Sequence, residues 1–181
     1  AVRLTHVPRL TDILVLLDIL KSMGAVVEWT GPHELTMDTS EIDPAKLDRK
    51  LMRKMRFSIL LLGPMLARFK RVYVPEPGGC NIGNRPIDTH LMALRSLGAT
   101  VEEDQAGGLL MEAKMLKGAS VILPDFSVTA TENLIMAATL AKGNTSIRLA
   151  AMEPHVQELC RFLNAAGAKI RGVGTHALEI T

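Results

Sequence analysis

The sequence predicts an α/β fold made of three repeated strand–helix–strand units. A short phrase around a glycine occurs three times, at Gly24, Gly98 and Gly167, with spacings of 74 and 69 residues. Each phrase follows an amphipathic helical pattern, and a proline stands before each pattern, at Pro8, Pro86 and Pro154. Repeats of this period predict a quasi-threefold arrangement of the units.

Each unit is expected to begin and end with a short strand. Strand-like runs precede the prolines at residues 2–4, 72–74 and 147–149, and follow the glycine phrases at residues 35–37, 109–111 and 178–180. We interpret the glycine as the C-terminal cap of the helix and the residues after it as another strand.

Two further helices are predicted between the units. The first covers residues 47–69 and is expected to kink at Gly63-Pro64, because proline interrupts a helix interior. The second covers residues 131–142. Both are nearly continuously apolar in their middle parts, which predicts buried helices. A short strand at residues 121–123 completes the elements.

The composition excludes several classes of function. A net charge of +2 on 181 residues does not imply nucleic-acid binding, and 3% aromatic residues offer no surface for base stacking. Two cysteines give neither a disulfide framework nor a metal cluster, which indicates a reduced, cytosolic protein. The five histidines lack metal-ligand spacing and are interpreted as structural or exposed. We therefore expect no metal, no cofactor, no membrane span and no signal peptide.

A glycine-rich loop at residues 77–88 carries the clearest chemical signal. It contains Cys80, and Arg85 lies five residues further on. Pro86 and the apolar residues after it predict a helix start, where free N–H groups favour anions. A cysteine in this setting can act as a nucleophile or a proton donor. The alternative is a tight turn with a small buried cysteine. Cys160 lies on the apolar face of a predicted helix with Val156, Leu159 and Leu163, and we interpret it as a core residue.

This loop reads Pro-Gly-Gly-Cys-Asn-Ile-Gly-Asn-Arg-Pro-Ile-Asp and closely resembles the active-site loop of the UDP-N-acetylglucosamine 1-carboxyvinyltransferases, or enolpyruvyl transferases. The resemblance covers essentially all 181 residues. It implies an inside-out α/β barrel of the enolpyruvyl transferase type, with helices inside and sheets outside. It also implies that residues 1–181 form a single domain, with units at about 1–70, 71–145 and 146–181. The family's second domain, N-terminal segment and third connecting helix are expected to be absent from this sequence.

The resemblance assigns catalytic and substrate-binding roles within this loop. It implies that Cys80 is the general acid that protonates phosphoenolpyruvate, and that the same thiol can form a covalent adduct with it. Arg85 matches an arginine beside the anionic substrates; the alternative is a surface arginine. The segment that matches the family's grip on the UDP-sugar consists of Arg85, Pro86, Ile87, Asp88 and Thr89.

A second segment is similar to another part of the family's UDP-sugar site, which often reads Asp-Lys-Val-Ser-Val-Gly. Ser127 and Val128 match it directly, whereas Asp125 falls where the family often has lysine. The segment also places Phe126 where its ring can pack on a uracil face. The alternative is a helix N-cap at Ser127 followed by an acidic first turn. Both interpretations can hold, because a capped helix start also offers N–H groups to a ligand.

Arg56 is the remaining candidate for substrate binding. It stands in Met55-Arg56-Phe57-Ser58, where the family has Met-Arg-Ala-Ser with a substrate-binding arginine. The alternative is that Arg56 ends a basic run over residues 46–56 that forms a solvated helix face. Phe57 replaces the family's small residue, which bears on the local packing.

The implied function is transfer of the enolpyruvyl group from phosphoenolpyruvate to the 3-hydroxyl of UDP-N-acetylglucosamine, with phosphate release. This is the first committed step of peptidoglycan synthesis, so the resemblance implies a fosfomycin target in the cytoplasm that serves cell wall biogenesis, cell shape, the cell cycle and cell division. The implied partners are the two substrates and the second domain, without nucleic acid or membrane.

Three alternatives remain at this point. The first is a non-catalytic nucleotide-sugar-binding or interaction domain, and the second is the related shikimate 3-phosphate enolpyruvyl transferase. The third, a thiol-redox protein, is weak because no second cysteine lies near Cys80 in the sequence. We expect the 181-residue chain alone to fold but not to catalyse, since the family's reacting groups converge from two domains.

Overall fold

The computed structural model describes residues 1–75, 87–105 and 107–181. Strands and helices are interspersed along this part of the chain. The strands are β1 Val2–Leu4, β2 Val26–Gly31, β3 Glu34–Asp38, β4 Arg71–Val74, β5 Thr100–Glu103, β6 Leu109–Glu112, β7 Ser120–Ile122, β8 Thr145–Arg148, β9 Ile170–Arg171 and β10 Ala177–Ile180. The α-helices are α1 Thr11–Ser22, α2 Arg49–Met52, α3 Leu62–Phe69, α4 Asp88–Ser96, α5 Val128–Ala138 and α6 Pro154–Ala165.

The strands form three separate sheets in the described residues, one for each predicted unit. Their orders are β1-β3-β2, β4-β6-β5 and β7-β8-β10-β9. In each unit the first strand leads into a helix, and the two strands after the helix pair as an antiparallel hairpin. The third sheet gains a parallel strand, β7, from the segment that connects the second and third units. The predicted threefold repetition is thus visible in the strand pairing.

The glycine of each repeated phrase ends its helix as predicted. Gly24, Gly98 and Gly167 have φ values of 107°, 94° and 107°, in the left-handed region that glycine adopts without steric cost. In each case the amide of the following alanine bonds back to a carbonyl five residues earlier, as Ala25 does to Leu20 at 3.0 Å. This arrangement is the Schellman motif, which satisfies carbonyl groups at a helix end.

The predicted helix at residues 47–69 is wrong as a single element. The segment contains α2, a 3₁₀ segment at Arg56–Leu61, and then α3. Asp48 starts α2 separately, because its carboxylate accepts hydrogen bonds from the Lys50 and Leu51 amides. Pro64 lies in the first turn of α3 and does not kink a longer helix, since amide groups in a first turn have no partner within the helix.

The predicted helix at residues 131–142 is displaced. The observed helix α5 begins at Val128 and ends at Ala138, because Ser127 caps it by accepting a bond from the Ala130 amide at 3.4 Å. The cap that we considered at Ser127 is therefore confirmed, but the acidic first turn is wrong. Glu132 lies one turn further on and is buried.

The core is centred on α5. This helix packs against α3, α4 and α6, and eight of its eleven residues are buried. Strands such as β4 and β6 alternate buried and more exposed residues, so one face of each of these strands meets the core. The combination of helices and sheets agrees with the predicted α/β class. Within the described residues, no helix is long and apolar enough to cross a bilayer.

Candidate functional site

The predicted site residues gather at the starts of two neighbouring helices and at one 3₁₀ segment. Ile87, Asp88 and Thr89 stand at the start of α4, and Asp125 to Val128 lead into α5. Arg56 is the first residue of the 3₁₀ segment Arg56–Leu61. Cys80, Arg85 and Pro86 lie outside the described residues.

The two predicted UDP-sugar segments are in direct contact. The Thr89 hydroxyl donates a hydrogen bond of 3.0 Å to the Asp125 carboxylate, across 36 residues of sequence. The sequence predicted both segments separately, from different motifs. The bond shows that the start of α4 and the approach to α5 form one continuous surface. It also gives Asp125 a defined partner at the position where the family often has lysine.

A second contact lies directly behind the first one and was missed in the sequence. His90 is buried, with 4% of its surface exposed, and its Nε2 shares a hydrogen bond of 2.8 Å with the Thr129 hydroxyl. The prediction that His90 is structural or exposed left this partner unrecognised. A signal was present, because His90 lies three residues after Ile87 and four before Leu94, on the apolar face of the helix.

The electrostatics of His90 connect it to Arg56. Burial, and to a smaller extent the positive charge of Arg56, lower the pKa of the His90 imidazole to about 4, and the Ile87 carbonyl and Asp125 oppose the change. His90 is therefore neutral at pH 7. The charge of the Arg56 side chain thus acts on the start of α4.

The backbone around Arg56 is held by a buried serine. The Ser58 hydroxyl is fully buried and lies 3.0 Å from the Met52 carbonyl and 2.8 Å from the Met55 carbonyl. Phe57, the residue that differs from the family pattern, turns outward and is 41% exposed. The larger side chain therefore does not disturb the packing beneath Arg56.

A buried asparagine joins α5 to the segment that carries Arg56. The Asn133 amide nitrogen donates bonds of 3.0 Å to the carbonyls of Thr129 and Ile59. Its side-chain oxygen accepts a bond of 2.6 Å from the Gly63 amide. Sequence reasoning missed this residue as well, although a polar side chain inside an apolar helix is a signal that can be recognised.

Phe126 lies at the edge of the site, next to a shallow pocket. Its ring is 55% exposed and meets the His176 ring at a centroid distance of 4.6 Å and an angle of 54°. The pocket of about 280 Å³ is lined by these two residues together with Ala151, Met152 and Glu153. The exposed face of Phe126 leaves room for the contact with a planar ring that the sequence suggested.

Two other titratable residues in the core lie outside this contact network. Burial raises the pKa of the Glu132 carboxyl, and His155, whose Nε2 lies 4.0 Å away, opposes that shift. Burial also raises the pKa of the Cys160 thiol, which is 1% exposed. The prediction that Cys160 is a core residue is confirmed. In the described part of the chain, no group of three or more potential metal ligands lies close together.

Comparisons with known proteins match this chain over its whole length. The family model described as EPSP synthase (3-phosphoshikimate 1-carboxyvinyltransferase) matches residues 1–181. A UDP-N-acetylglucosamine 1-carboxyvinyltransferase 1 of Carboxydothermus hydrogenoformans is 49% identical over 98% of the chain. A UDP-N-acetylglucosamine 1-carboxyvinyltransferase of Helicobacter pylori is 45% identical over 99% of the chain. The chain spans 42% of the length of each of these two relatives.

Solved structures show the same fold. The enolpyruvyl transferase NikO from Streptomyces tendae matches with a TM-score of 0.83 at 20% identity, over 98% of this chain and 42% of that one. EPSP synthase from Acinetobacter baumannii matches with a TM-score of 0.72 at 22% identity, over 99% of this chain and 41% of that one. These likenesses confirm the predicted fold class, an α/β fold of the enolpyruvyl transferase type.

Proposed function

Since this chain belongs to the EPSP synthase (3-phosphoshikimate 1-carboxyvinyltransferase) family, we propose that it forms one domain of a UDP-N-acetylglucosamine enolpyruvyl transferase. The observation that carries the proposal is the 44–49% identity, over nearly the whole chain, to proteins named for that activity. In the proposed reaction the 3-hydroxyl of UDP-N-acetylglucosamine receives the enolpyruvyl group of phosphoenolpyruvate. Phosphate is the second product.

The proposed chemistry is an addition followed by an elimination. In the addition, the sugar oxygen bonds to C2 of phosphoenolpyruvate, a base takes the hydroxyl proton, and an acid gives a proton to the methylene carbon. In the elimination, a proton leaves the same carbon, the double bond forms again, and the C2–O bond to phosphate breaks. The carboxylate and phosphate of the substrate require cationic partners throughout.

Residues of this chain supply part of this machinery. We assign Cys80 as the acid that protonates the methylene carbon, on the strength of its loop motif. Arg85 and Arg56 are assigned to the anionic groups, because a guanidinium presents a planar fork of donors to carboxylates and phosphates. The charge of Arg56 acts on His90 at the start of α4, which supports a place for Arg56 beside the UDP-sugar segments.

The UDP-sugar is assigned to the surface formed by the starts of α4 and α5. Helix α4 has nine residues and α5 has eleven, and the first turn of each offers amide groups that have no partner within the helix. Ile87, Asp88 and Thr89 are assigned to one side of this surface, and Asp125, Phe126, Ser127 and Val128 to the other. Pro86, which lies outside the described residues, is assigned to the UDP-sugar by its motif alone. The Thr89–Asp125 hydrogen bond, which joins the two sides, supports the assignment.

The remaining reacting groups are proposed to come from a second domain. This chain spans 42% of the length of its relatives, which leaves room in them for a domain of similar size. Closure of two domains over the substrates excludes water and completes such a site. In this proposal the enzyme acts in the cytoplasm, in the first committed step of peptidoglycan synthesis.

The test is an assay of the two-domain protein for phosphate release from phosphoenolpyruvate, with UDP-N-acetylglucosamine or shikimate 3-phosphate as the acceptor. We expect phosphate release when UDP-N-acetylglucosamine is the acceptor and none when shikimate 3-phosphate is the acceptor. The opposite result would identify the other activity of the family. Binding of the nucleotide sugar without phosphate release would indicate a non-catalytic domain. The 181-residue chain assayed alone is expected to release no phosphate.

Variants of the two cysteines test the assignment of the acid. Cys80→Ala is expected to lower the rate by at least about 100-fold. Cys80→Asp is expected to keep part of the activity, because a carboxylic acid still delivers a proton. It is also expected to resist the epoxide fosfomycin, because it lacks the thiol that the epoxide would alkylate to a thioether. Cys160→Ala is the matched control and should keep the normal catalytic rate. A normal rate for Cys80→Ala would show that another group is the acid.

A further inference from the structure

We propose that His90 is a positioning residue for the nucleotide-sugar surface: through Thr129 it holds the start of α4 in a fixed position against the start of α5. The inference rests on the function proposed above, because it concerns the surface assigned to the UDP-sugar. It adds a residue that none of the sequence motifs marked as part of the site.

The two helix starts are attached at two points. Thr89 and His90 are consecutive on α4, so their side chains point in different directions, about 100° apart around the helix. The first bonds Asp125, just before α5, at 3.0 Å, and the second bonds Thr129, in the first turn of α5, at 2.8 Å. One hydrogen bond alone would let the two helix starts rotate about it. A second bond at a different depth restricts that rotation.

The inner attachment is better shielded from water than the outer one. His90 is 4% exposed and its partner Thr129 is half-buried, whereas the Thr89–Asp125 bond is at the surface. At the surface, water competes for each partner, so the net contribution of the bond is small. Around a buried imidazole water has less access, so a lost bond is replaced less completely and costs more. His90 therefore controls the geometry more strongly than its exposed neighbour.

The attachment continues from α5 to the segment that carries Arg56. The Thr129 carbonyl accepts a bond of 3.0 Å from Asn133, and the same amide group donates to the Ile59 carbonyl at 3.0 Å. Ile59 lies in the 3₁₀ segment that Arg56 begins. A continuous polar chain thus joins α4, α5 and the Arg56 segment, the three described elements to which we assign substrate contacts. Displacement of His90 is expected to act most on the starts of α4 and α5, which it joins directly, and least on the Arg56 segment, which is reached only through Asn133.

The experiment compares His90→Leu with His90→Gln in the two-domain enzyme. Leucine fills a similar volume without a polar atom, whereas the glutamine amide can reach the position of Nε2 and bond Thr129. We expect His90→Leu to raise the KM for UDP-N-acetylglucosamine about tenfold, and the KM for phosphoenolpyruvate less than about twofold. His90→Gln is expected to restore most of the affinity. His33→Leu is the control, since His33 is exposed and lies outside the assigned surface.

Thr129→Val provides an independent check from the other partner. It removes the hydroxyl but keeps the shape of the side chain, so its effect should resemble that of His90→Leu. The double variant should be little worse than either single one, because both remove the same bond. Equal changes in the two KM values, fully additive effects, or a His90→Gln enzyme as impaired as His90→Leu would each overturn the proposal.

A second measurement separates this inference from the proposed function. Hydrogen exchange should become faster in His90→Leu at residues 88–91 and also at residues 128–131, across the contact, and should return to normal in His90→Gln. This readout does not require catalysis. If the unmodified two-domain enzyme does not turn over, the proposed function is wrong. If exchange at residues 128–131 is unchanged in His90→Leu, the role of His90 is wrong, whatever the activity.

Discussion

Helices α4 and α6 have equivalent places in the second and third units, but they meet α5 differently. On α4, His90 bonds to α5, and the neighbouring Ala93 is fully buried. Five residues before its glycine, α6 carries Phe162 at the place of Ala93, and Phe162 is 52% exposed. Ile19 has the same place in α1 and is fully buried. The repeat therefore specifies the helix and its terminal turn, whereas the elements packed around each unit decide whether an equivalent side chain is buried or exposed.

The largest effect should come from disrupting the hydrogen-bonded contact between Gly63 on α3 and Asn133 on α5. In Gly63→Ala the new Cβ would clash with the Asn133 carbonyl oxygen, a backbone atom that cannot rotate away. We expect a loss of about 4 kcal/mol in the free energy of unfolding, from overpacking and from strained buried hydrogen bonds. Urea denaturation measures it.

The control for this substitution is Gly31→Ala, whose Cβ would meet the Glu34 side chain at an ordinary 3.7 Å. It should cost less than about 0.5 kcal/mol. Equal losses in the free energy of unfolding for the two variants would mean that the contact between α3 and α5 adjusts to an added methyl group.

Leucines at matching positions of the two helices provide a direct comparison. Leu94 lies four residues before Gly98 and is fully buried, whereas Leu163 lies four residues before Gly167 and is half-buried. Leu94→Ala should lower the free energy of unfolding by about 3 kcal/mol and Leu163→Ala by about 1 kcal/mol. Similar losses in denaturation experiments would contradict the difference between the two helices.

The free energy of unfolding should depend on pH because the His90 imidazole is buried. Folded His90 has a pKa of about 4, against 6.5 for an exposed imidazole, so unfolding takes up a proton between these values. Acidification therefore favours the unfolded chain, and stability is lost as the pH falls from 6.5 towards 4. At pH 5 the loss relative to pH 7 should be about 2 kcal/mol.

His90→Gln provides the reference for this measurement. The variant lacks the imidazole but keeps every other titratable group, including Glu132, whose raised pKa acts in the opposite direction. The difference between the two stability curves therefore isolates His90. Parallel curves from pH 7 to pH 4 would show that the imidazole is not held neutral.

The smallest effect is expected on the exposed side of α6. Phe162→Ser removes a ring that is already half in water, so the free energy of unfolding should fall by only about 0.5 kcal/mol. Cys160→Ser, two residues away on the same helix, places a hydroxyl at a site that is 1% exposed and should cost about 2 kcal/mol. Thermal unfolding of both variants compares the exposed and the buried side of α6. A larger loss of stability for Phe162→Ser would mean that Phe162, and not Cys160, lies on the buried side.

The features that could be predicted from the sequence are the local ones. The glycine turns depend on residues within one turn of Gly24, Gly98 and Gly167, and the strands on short apolar runs, so all of these were found. The single helix at residues 47–69 was wrong because the cap at Asp48 and the position of Pro64 outweigh its apolar pattern.

The arrangement of the site is a longer-range property. Motifs identified the segments at Thr89 and Asp125, but nothing local shows that these two residues touch. His90 and Asn133 were missed because their roles depend on partners 39 and 70 residues away. A polar residue on an apolar helix face was the available signal, and it shows that a partner is needed without showing which one.

The separation of 70 residues between Gly63 and Asn133 also bears on the order of folding. Closing so long a loop is entropically costly, and such contacts are expected to form after the helices and hairpins within each unit. Substitutions in the Asn133 contacts should then accelerate unfolding while leaving the refolding rate nearly unchanged. Stopped-flow chevron plots would show this as a shift of the unfolding arm. The surface assigned to the nucleotide sugar would then be the last part of the chain to take shape.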